Sequence, residues 1–352
     1  MGVHAGFRLF GNIGNPLALF AAGEQGVWYD PSDFSTMFQD SAGTTPVTAV
    51  EQPVGLIRDK SGRGNHASQS TADSRPVLSS RVNQLLATAT LATQSVTTLA
   101  ATYTLIFSGA GTVTASGTNV GVYSAGSNSL VCAAGTLTLT VSGSVTSADL
   151  RLSNDGVGLP AYQAVVTSTN YDTSSFPLYL KFDGVNDILA TGNIDFTATD
   201  KITTCMAFKK TIPAAGFIYE LSSTANNGTF SGFVTADPYA SVYFRSRGTV
   251  LSTNYYTYNS IPILNNTYVY SSQGNISNKV NNLRLNGVVA SSLSDDQGTG
   301  NYGNYPLYIG ARASNTFFFG GRIYNLIIRG AQSIDSQIAQ SERHIINKTK
   351  AY

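Results

Sequence analysis

Leu178-Tyr-Leu-Lys-Phe-Asp-Gly-Val-Asn-Asp187 is the stretch from which the fold is read. Its first half alternates, so Leu178, Leu180 and Phe182 share one face of an extended strand. Its second half carries Asp, Gly and Asn, residues that supply turn hydrogen bonds and positive φ. The same grammar recurs downstream, at Thr203–Phe208, Phe217–Leu221, Ser241–Arg247, Tyr268–Ser272, Pro306–Ala311 and Arg322–Ile328. Leu283-Arg-Leu-Asn-Gly-Val-Val289 predicts a hairpin, because Asn286-Gly287 suits a type I′ turn between two alternating runs. Near the end, Ser333 followed by Ile334, Ile338 and Ile345 predicts a capped helix with one apolar stripe. Many short strands with Gly/Asn turns and one late helix predict an all-β, antiparallel β-sandwich.

Upstream the texture changes. Residues 84–156 are rich in Thr, Ser, Ala, Gly and Val, with almost no charge before Asp149 and Arg151. Alternation in Tyr103–Phe107, Thr136–Val141 and Ala148–Leu152 predicts a second, smaller β-sandwich, with Gly-rich turns at 108–112 and 141–144. Residues 1–25 read as an arm. Phe7, Leu9, Phe10 and Ile13 cannot bury themselves there, so the arm is expected to dock on its own body or on a partner protein. Asn15 as cap, Pro16 at the first helical position and Gly23 as stop predict a short helix. Leu17–Ala22 superficially resembles a signal-peptide core, but Asn15-Pro16 precedes it and no basic segment does, so no signal peptide is read. No stretch approaches a membrane span.

Composition narrows function. Charged residues are 12% of the 352, while 42% are hydrophobic and 11% aromatic, which describes a folded, β-rich chain. A net charge of +1 provides no broad field for nucleic acid or an anionic membrane. Lys209–Lys210 and Arg245/Arg247 alternate with apolar residues and read as the solvent side of strands. Cys132 and Cys205 lie in apolar runs and read as two buried thiols, which fits assembly in a reducing cytoplasm.

The order Gly26-Val-Trp-Tyr-Asp30, Asp59-Lys-Ser-Gly-Arg-Gly-Asn-His66, Arg75-Pro-Val-Leu78, Leu180-Lys-Phe-Asp-Gly-Val-Asn-Asp187, Leu307-Tyr-Ile-Gly310 and Gly320–Ile328 resembles the concanavalin-A-like (LamG-like) lectin jelly roll. Versions with this opening are similar to phage tail-fibre, decoration and other virion-associated proteins. The resemblance implies a discontinuous jelly roll, residues 26–83 plus 157–352, interrupted by an insert at 84–156. The insert's end, Ser142–Leu152 followed by Pro160-Ala-Tyr-Gln163, resembles carbohydrate-binding-module-like sandwiches. Those usually carry an acidic residue where Arg151 stands. The implied role is a non-enzymatic virion protein, assembled in the host cytoplasm and forming a homo-oligomer. It would attach to other virion proteins through the arm and to host-surface polysaccharide through a lectin-like face. The alternatives are a polysaccharide depolymerase and a soluble carbohydrate-binding module.

The residues favour binding over catalysis. Retaining glucanases need two carboxylates about 5–5.5 Å apart, yet Glu24, Glu51, Glu220 and Glu342 stand singly and Asp295-Asp296 reads as a solvated turn. His4, His66 and His344 accompany no Gly-x-Ser-x-Gly elbow, and neither cysteine has a zinc-spaced neighbour. No cofactor is expected. Calcium is the one metal in question, with Asp183, Asn186 and Asp187 offering hard oxygens. The other reading is that these carboxylates bond turn amides. For glycans, aromatic platforms matter most, and the candidates are Tyr255, Tyr256 and Tyr258, then Tyr302 and Tyr305, and the Phe317–Phe319 run. Each has an alternative as an ordinary core or sheet-face ring.

Overall fold

The computed structural model describes residues 15–155, 158–222, 226–237, 240–257, 263–313 and 316–351. The arm residues Phe7, Leu9, Phe10 and Ile13, and also Tyr258, lie outside the described residues. The fold class is all-β, in three antiparallel sheets.

The first sheet has eight strands. It runs Val288–Leu293, Val280–Leu285, Thr267–Asn275, Lys201–Lys210, Gly320–Arg329, Tyr179–Asp183, Val77–Ser79, with Gly26–Tyr29 also paired to Gly320–Arg329. The second has nine, running Leu251–Thr257, Ser241–Arg247, Thr229–Val234, Gly216–Leu221, Asn304–Ile309, Leu189–Asp195, Ala67–Ser68, Leu56–Ile57, Met37–Phe38. Both therefore take strands from before residue 80 and after residue 178. Alternation directs Leu180, Phe182, Met206, Phe208 and Leu326 from the first sheet, and Ile218, Phe230, Val242, Phe244 and Leu307 from the second, into one shared core. Asn286 (φ 51) and Gly287 (φ 77) make the hairpin turn as read.

The outer face of the first sheet is covered. Trp28, Tyr179, Cys205, Ala207, Val269, Tyr324 and Ile327 lie beneath Ile345 of the helix Asp335–Thr349, and the small Cys205 and Ala207 leave room for it. Both cysteines are buried and free. The helix starts later than the sequence suggested. Ser333 Oγ accepts from Arg329 instead, Gln337 Oε1 accepts the Ile334 amide, and Ile334 is exposed. The short N-terminal helix is a 3-10 turn, Pro16–Leu19, with Asn15 Oδ1 accepting Leu17 N at 3.0 Å. Phe20 packs beside Arg329, so this described end of the arm docks on its own body.

Lys209 and Lys210 do not face solvent. Both are buried, Lys209 on Asp155 and Lys210 on Asp237. Consecutive strand residues point to opposite faces, so the two lysines leave the strand on different sides, and each meets a carboxylate from elsewhere in the chain.

Residues 94–152 form the third sheet, of five strands. Its spine is Ala101–Gly117, one 17-residue strand where the sequence suggested a turn at 108–112. That strand pairs with Gly121–Cys132 on one side and with Gly135–Ser142 and then Thr146–Leu152 on the other. The register slips between Phe107 and Thr112, and both Gly126 and Gly143 have positive φ beside the slip. A Cβ on Gly109 would sit 2.3 Å from the Ser144 carbonyl oxygen, so glycine permits a close approach and a bend rather than a reversal. Tyr103, Leu105 and Phe107 before the bend and Val113, Leu137 and Leu139 beyond it then share one core.

The junction between this unit and the two large sheets is a dense polar network. Gln163 Oε1 accepts the amides of Val82 and Asn83, and its Nε2 donates to Ser80 and Asp172 carbonyls. Asn83 bonds Ala148, Leu85 and Leu150. Arg151 is paired with the buried Asp149 and donates to Pro160 O at 2.9 Å, so its guanidinium is structural.

Candidate functional site

The outer face of the second sheet, turned away from the shared core, is built by strand register. Phe217 pairs with Phe233, Phe233 with Tyr243, and Tyr243 with Tyr255, so four rings lie in one row across four strands. Successive ring centroids are 4.6, 6.0 and 5.2 Å apart. A β-bulge between Phe217 and Tyr219 places Ile218 and Tyr219 in the core while Phe217 and Glu220 share the outer face. Phe317, from the following loop, sets its edge on Phe217 and Phe233. Tyr255 (54%) and Phe317 (51%) are well exposed at the rim, whereas Phe217 and Phe233 are covered.

A polar row runs beside the rings. Tyr308, Glu220, Ser231, Arg245 and Thr253 are consecutive register partners. Arg245 lies over Phe233 at 5.2 Å and Arg312 over Phe217 at 5.0 Å. Arg312 Nε is 3.3 Å from Glu220 Oε1, and the Ala313 amide donates to Glu220 Oε2 at 3.2 Å. Burial pushes the Glu220 carboxyl above its usual range, against the pull of the Ala313 amide and Arg312. Burial, with the adjoining Arg312 charge, draws Arg245 below the ordinary guanidinium range. A hollow lined by Glu220, Arg245, Arg247, Leu251 and Arg312 opens here. Such a face can stack a ring and bond the hydroxyls or anionic groups around it.

Of the sequence candidates, Tyr255 joins the row and Phe317 packs its edge against it, while Tyr258 lies outside the described residues. Tyr256 faces the other way and packs against the core. Tyr302 is buried, with Ser246 Oγ 2.6 Å from its hydroxyl. Tyr305 packs against the core and donates to Asn227 O at 3.3 Å. Phe319 is core. Sequence reasoning missed Phe217, Phe233, Tyr243 and Arg312. The alternation Tyr243-x-Arg245-x-Arg247 was the available signal, but cross-strand register was not.

Of the calcium candidates, Asp183 and Asp187 each commit one carboxylate oxygen to amides of their own turn. Asp183 Oδ1 accepts the amides of Val185, Asn186 and Asp187 at 2.8, 3.1 and 3.3 Å, and Asp187 Oδ2 accepts Asp183 N at 2.8 Å. Among the described residues no three His, Cys, Asp or Glu side chains cluster. The Asp59–His66 loop is likewise a latch. Asp59 accepts Trp28 N at 2.9 Å and Asn65 N at 3.1 Å, Asn65 Nδ2 donates to Gly26 O at 2.8 Å, and Lys60 lies over the Trp28 ring.

A larger hollow, about 670 Å³, separates the five-stranded unit from Tyr179–Asp183. Two of its charged groups are already engaged. Arg81 donates to three backbone carbonyls, and Glu51 accepts from Ser79 and Tyr171. The aromatic face is therefore the better candidate.

No protein-family model and no curated protein matches the chain. Among solved structures it is similar to the receptor binding domain of botulinum neurotoxin C/D mosaic serotype, at 10% identity over 50% of this chain and 44% of that one, with a TM-score of 0.40. It is also similar to the Ruminococcus gnavus IT-sialidase CBM40 bound to alpha2,3 sialyllactose, at 19% identity over 41% of this chain and 83% of that one, with a TM-score of 0.33. The chain spans less than half the length of the neurotoxin domains it matches, 44% and 42% of them. Likeness at this level assigns no ligand.

Proposed function

We propose that this is a non-enzymatic glycan-binding β-sandwich protein whose binding face is the outer face of the second sheet. There Tyr255 and Phe317 are exposed and Tyr243 is half-buried, along the row that the covered Phe217 and Phe233 continue. The observation that carries the reading is the register of four rings, with exposed Tyr255 at one end and exposed Phe317 packed against Phe217 and Phe233 at the other. Aromatic faces stack on the C–H faces of sugars, and the adjoining Ser, Thr, Glu and Arg side chains suit sugar hydroxyls. The charges acting on Glu220 are the cations Arg312 and Arg245 rather than a partner carboxylate, which supports binding over glycoside hydrolysis. The virion setting, with host-surface polysaccharide as ligand and the arm as attachment, rests on the resemblance of the Gly26–Asp30, Asp59–His66 and Leu180–Asp187 segments.

Binding to a glycan panel tests the reading. The wild-type chain should bind at least one polysaccharide, and the Tyr255→Ala/Phe317→Ala double variant should lose about tenfold or more with an unchanged melting temperature. Equal binding by the double variant moves the site elsewhere, and release of reducing ends from the bound polysaccharide overturns the non-enzymatic claim. Labelled antibody against the chain should decorate phage particles, and bare particles overturn the virion setting.

A further inference from the structure

On the covered face of the first sheet, cations are neutralised by the segments that cover them. Asp155 pairs with Lys209 and Arg322, Glu342 with Arg284, and Glu24 with Arg329. The open face of the second sheet follows no such rule. It carries Arg245, Arg247 and Arg312, and Glu220 pairs with Arg312. Among the described residues Arg245 and Arg247 join no ion pair and donate no side-chain hydrogen bond, and each Nε is buried without a partner. A buried donor left unmade is costly, and a guanidinium beside aromatic rings is poorly hydrated. Two such groups side by side on a folded surface leave an anion-shaped deficit.

Resting on the glycan reading above, we infer that this face takes an acidic glycan, with a sugar carboxylate held by Arg245 and Arg247 while the adjoining sugar ring stacks on Tyr243 and Tyr255. Tyr243, Arg245 and Arg247 occupy alternate positions of one strand, so neighbouring side chains stand about 7 Å apart on one face. Tyr255 and Thr253 lie opposite Tyr243 and Arg245. The guanidinium fork matches a carboxylate in two parallel hydrogen bonds. A nucleic acid fits less well, because a chain of net charge +1 lacks the extended field that gathers a polyanion.

The experiment is affinity measurement on the full chain against hexuronate polymers (polygalacturonate, alginate, hyaluronate), their carboxyl-reduced neutral forms, neutral glucans and a thymidine oligonucleotide. The expected result is binding to a hexuronate polymer that falls about tenfold or more on carboxyl reduction. The Arg245→Gln/Arg247→Gln variant should lose that preference while keeping its melting temperature. Wild-type binding should also weaken at least about fivefold between 50 and 500 mM salt, a readout that stands even where the variant fails to fold. Binding to neutral or reduced glycans as tight as to the acidic ones overturns the inference and leaves the glycan reading intact. Tighter binding to the oligonucleotide, or binding to no glycan at all, overturns both.

Discussion

The two outer faces of the sandwich begin from similar material and end differently. Each carries a patch of aromatic rings with arginines or lysines among them. The first sheet's patch lies under the terminal helix and the exit of the five-stranded unit, and its cations meet Asp155, Glu342 and Glu24. Among the described residues the terminal helix does not reach the second sheet's patch, and Arg245 and Arg247 join no ion pair there, with Glu220, already paired to Arg312, the carboxylate whose charge acts on Arg245. Part of the difference lies in the small residues. Cys205 and Ala207 admit a helix on one side, whereas Phe217, Phe233, Tyr243 and Tyr255 fill the corresponding space on the other. A covered face contributes to stability, and an open face with unpaired cations is available for a ligand.

The sharpest way to break this contrast is Asp155→Ala. It would leave buried Lys209 and Arg322 without their carboxylate, and denaturant unfolding should show a loss of about 3–5 kcal/mol. A loss under about 1 kcal/mol would mean that covering carboxylates are dispensable. The same group sets an acid limit. Burial alone would raise the Asp155 carboxyl, but Arg322 and Lys209 hold it below the usual range. Its contribution is thus present above the unfolded value of about 3.9 and is lost as pH falls through the lower folded value. The variant should lack that acid slope.

Next in size is Ile345→Ala, which opens a void beneath the helix and should cost about 2–4 kcal/mol by the same unfolding measurement. Tyr255→Ala is the counterpart on the open face. It should change stability by less than about 0.5 kcal/mol while weakening glycan binding, measured calorimetrically. Similar stability losses at both positions would erase the contrast between the faces.

The smallest effect belongs to Asp187, at the strand-end turn away from both patches. Burial raises its carboxyl to about 6, with the Asp183 amide opposing. The folded chain then keeps a proton that the unfolded chain releases between about pH 3.9 and 6, so stability from this group falls as pH rises through that window. Asp187→Asn should flatten this shallow slope in melting temperatures taken across pH 4–7.

Much of the architecture was legible because alternation and turn chemistry are local. The hairpin at Asn286-Gly287, the strands at 179–183 and 320–329 and the late helix follow from a few neighbouring residues each. Errors came where a local signal has two tertiary meanings. Ser108-Gly-Ala-Gly-Thr112 suits a turn or a bend, and the approach of the 142–144 backbone selects the bend. Lys209-Lys210 suits solvent or a paired interior, and Asp155 and Asp237 select the interior. The site suffered most. Tyr255 was visible as an exposed aromatic candidate, read in a loop rather than in the strand Leu251–Thr257 that holds it, but Tyr256 and Tyr302 looked equally suitable and both point inward.

The order of residues alone determined which segments extend, where they turn and which face of each is apolar, because strand period and turn preference act over two to four residues. The tertiary structure alone decided which apolar faces are covered, which charges are neutralised and which rings meet in a row. Those outcomes depend on register between strands far apart in the chain, and a slip of one residue would send Tyr243 and Arg245 to the opposite face.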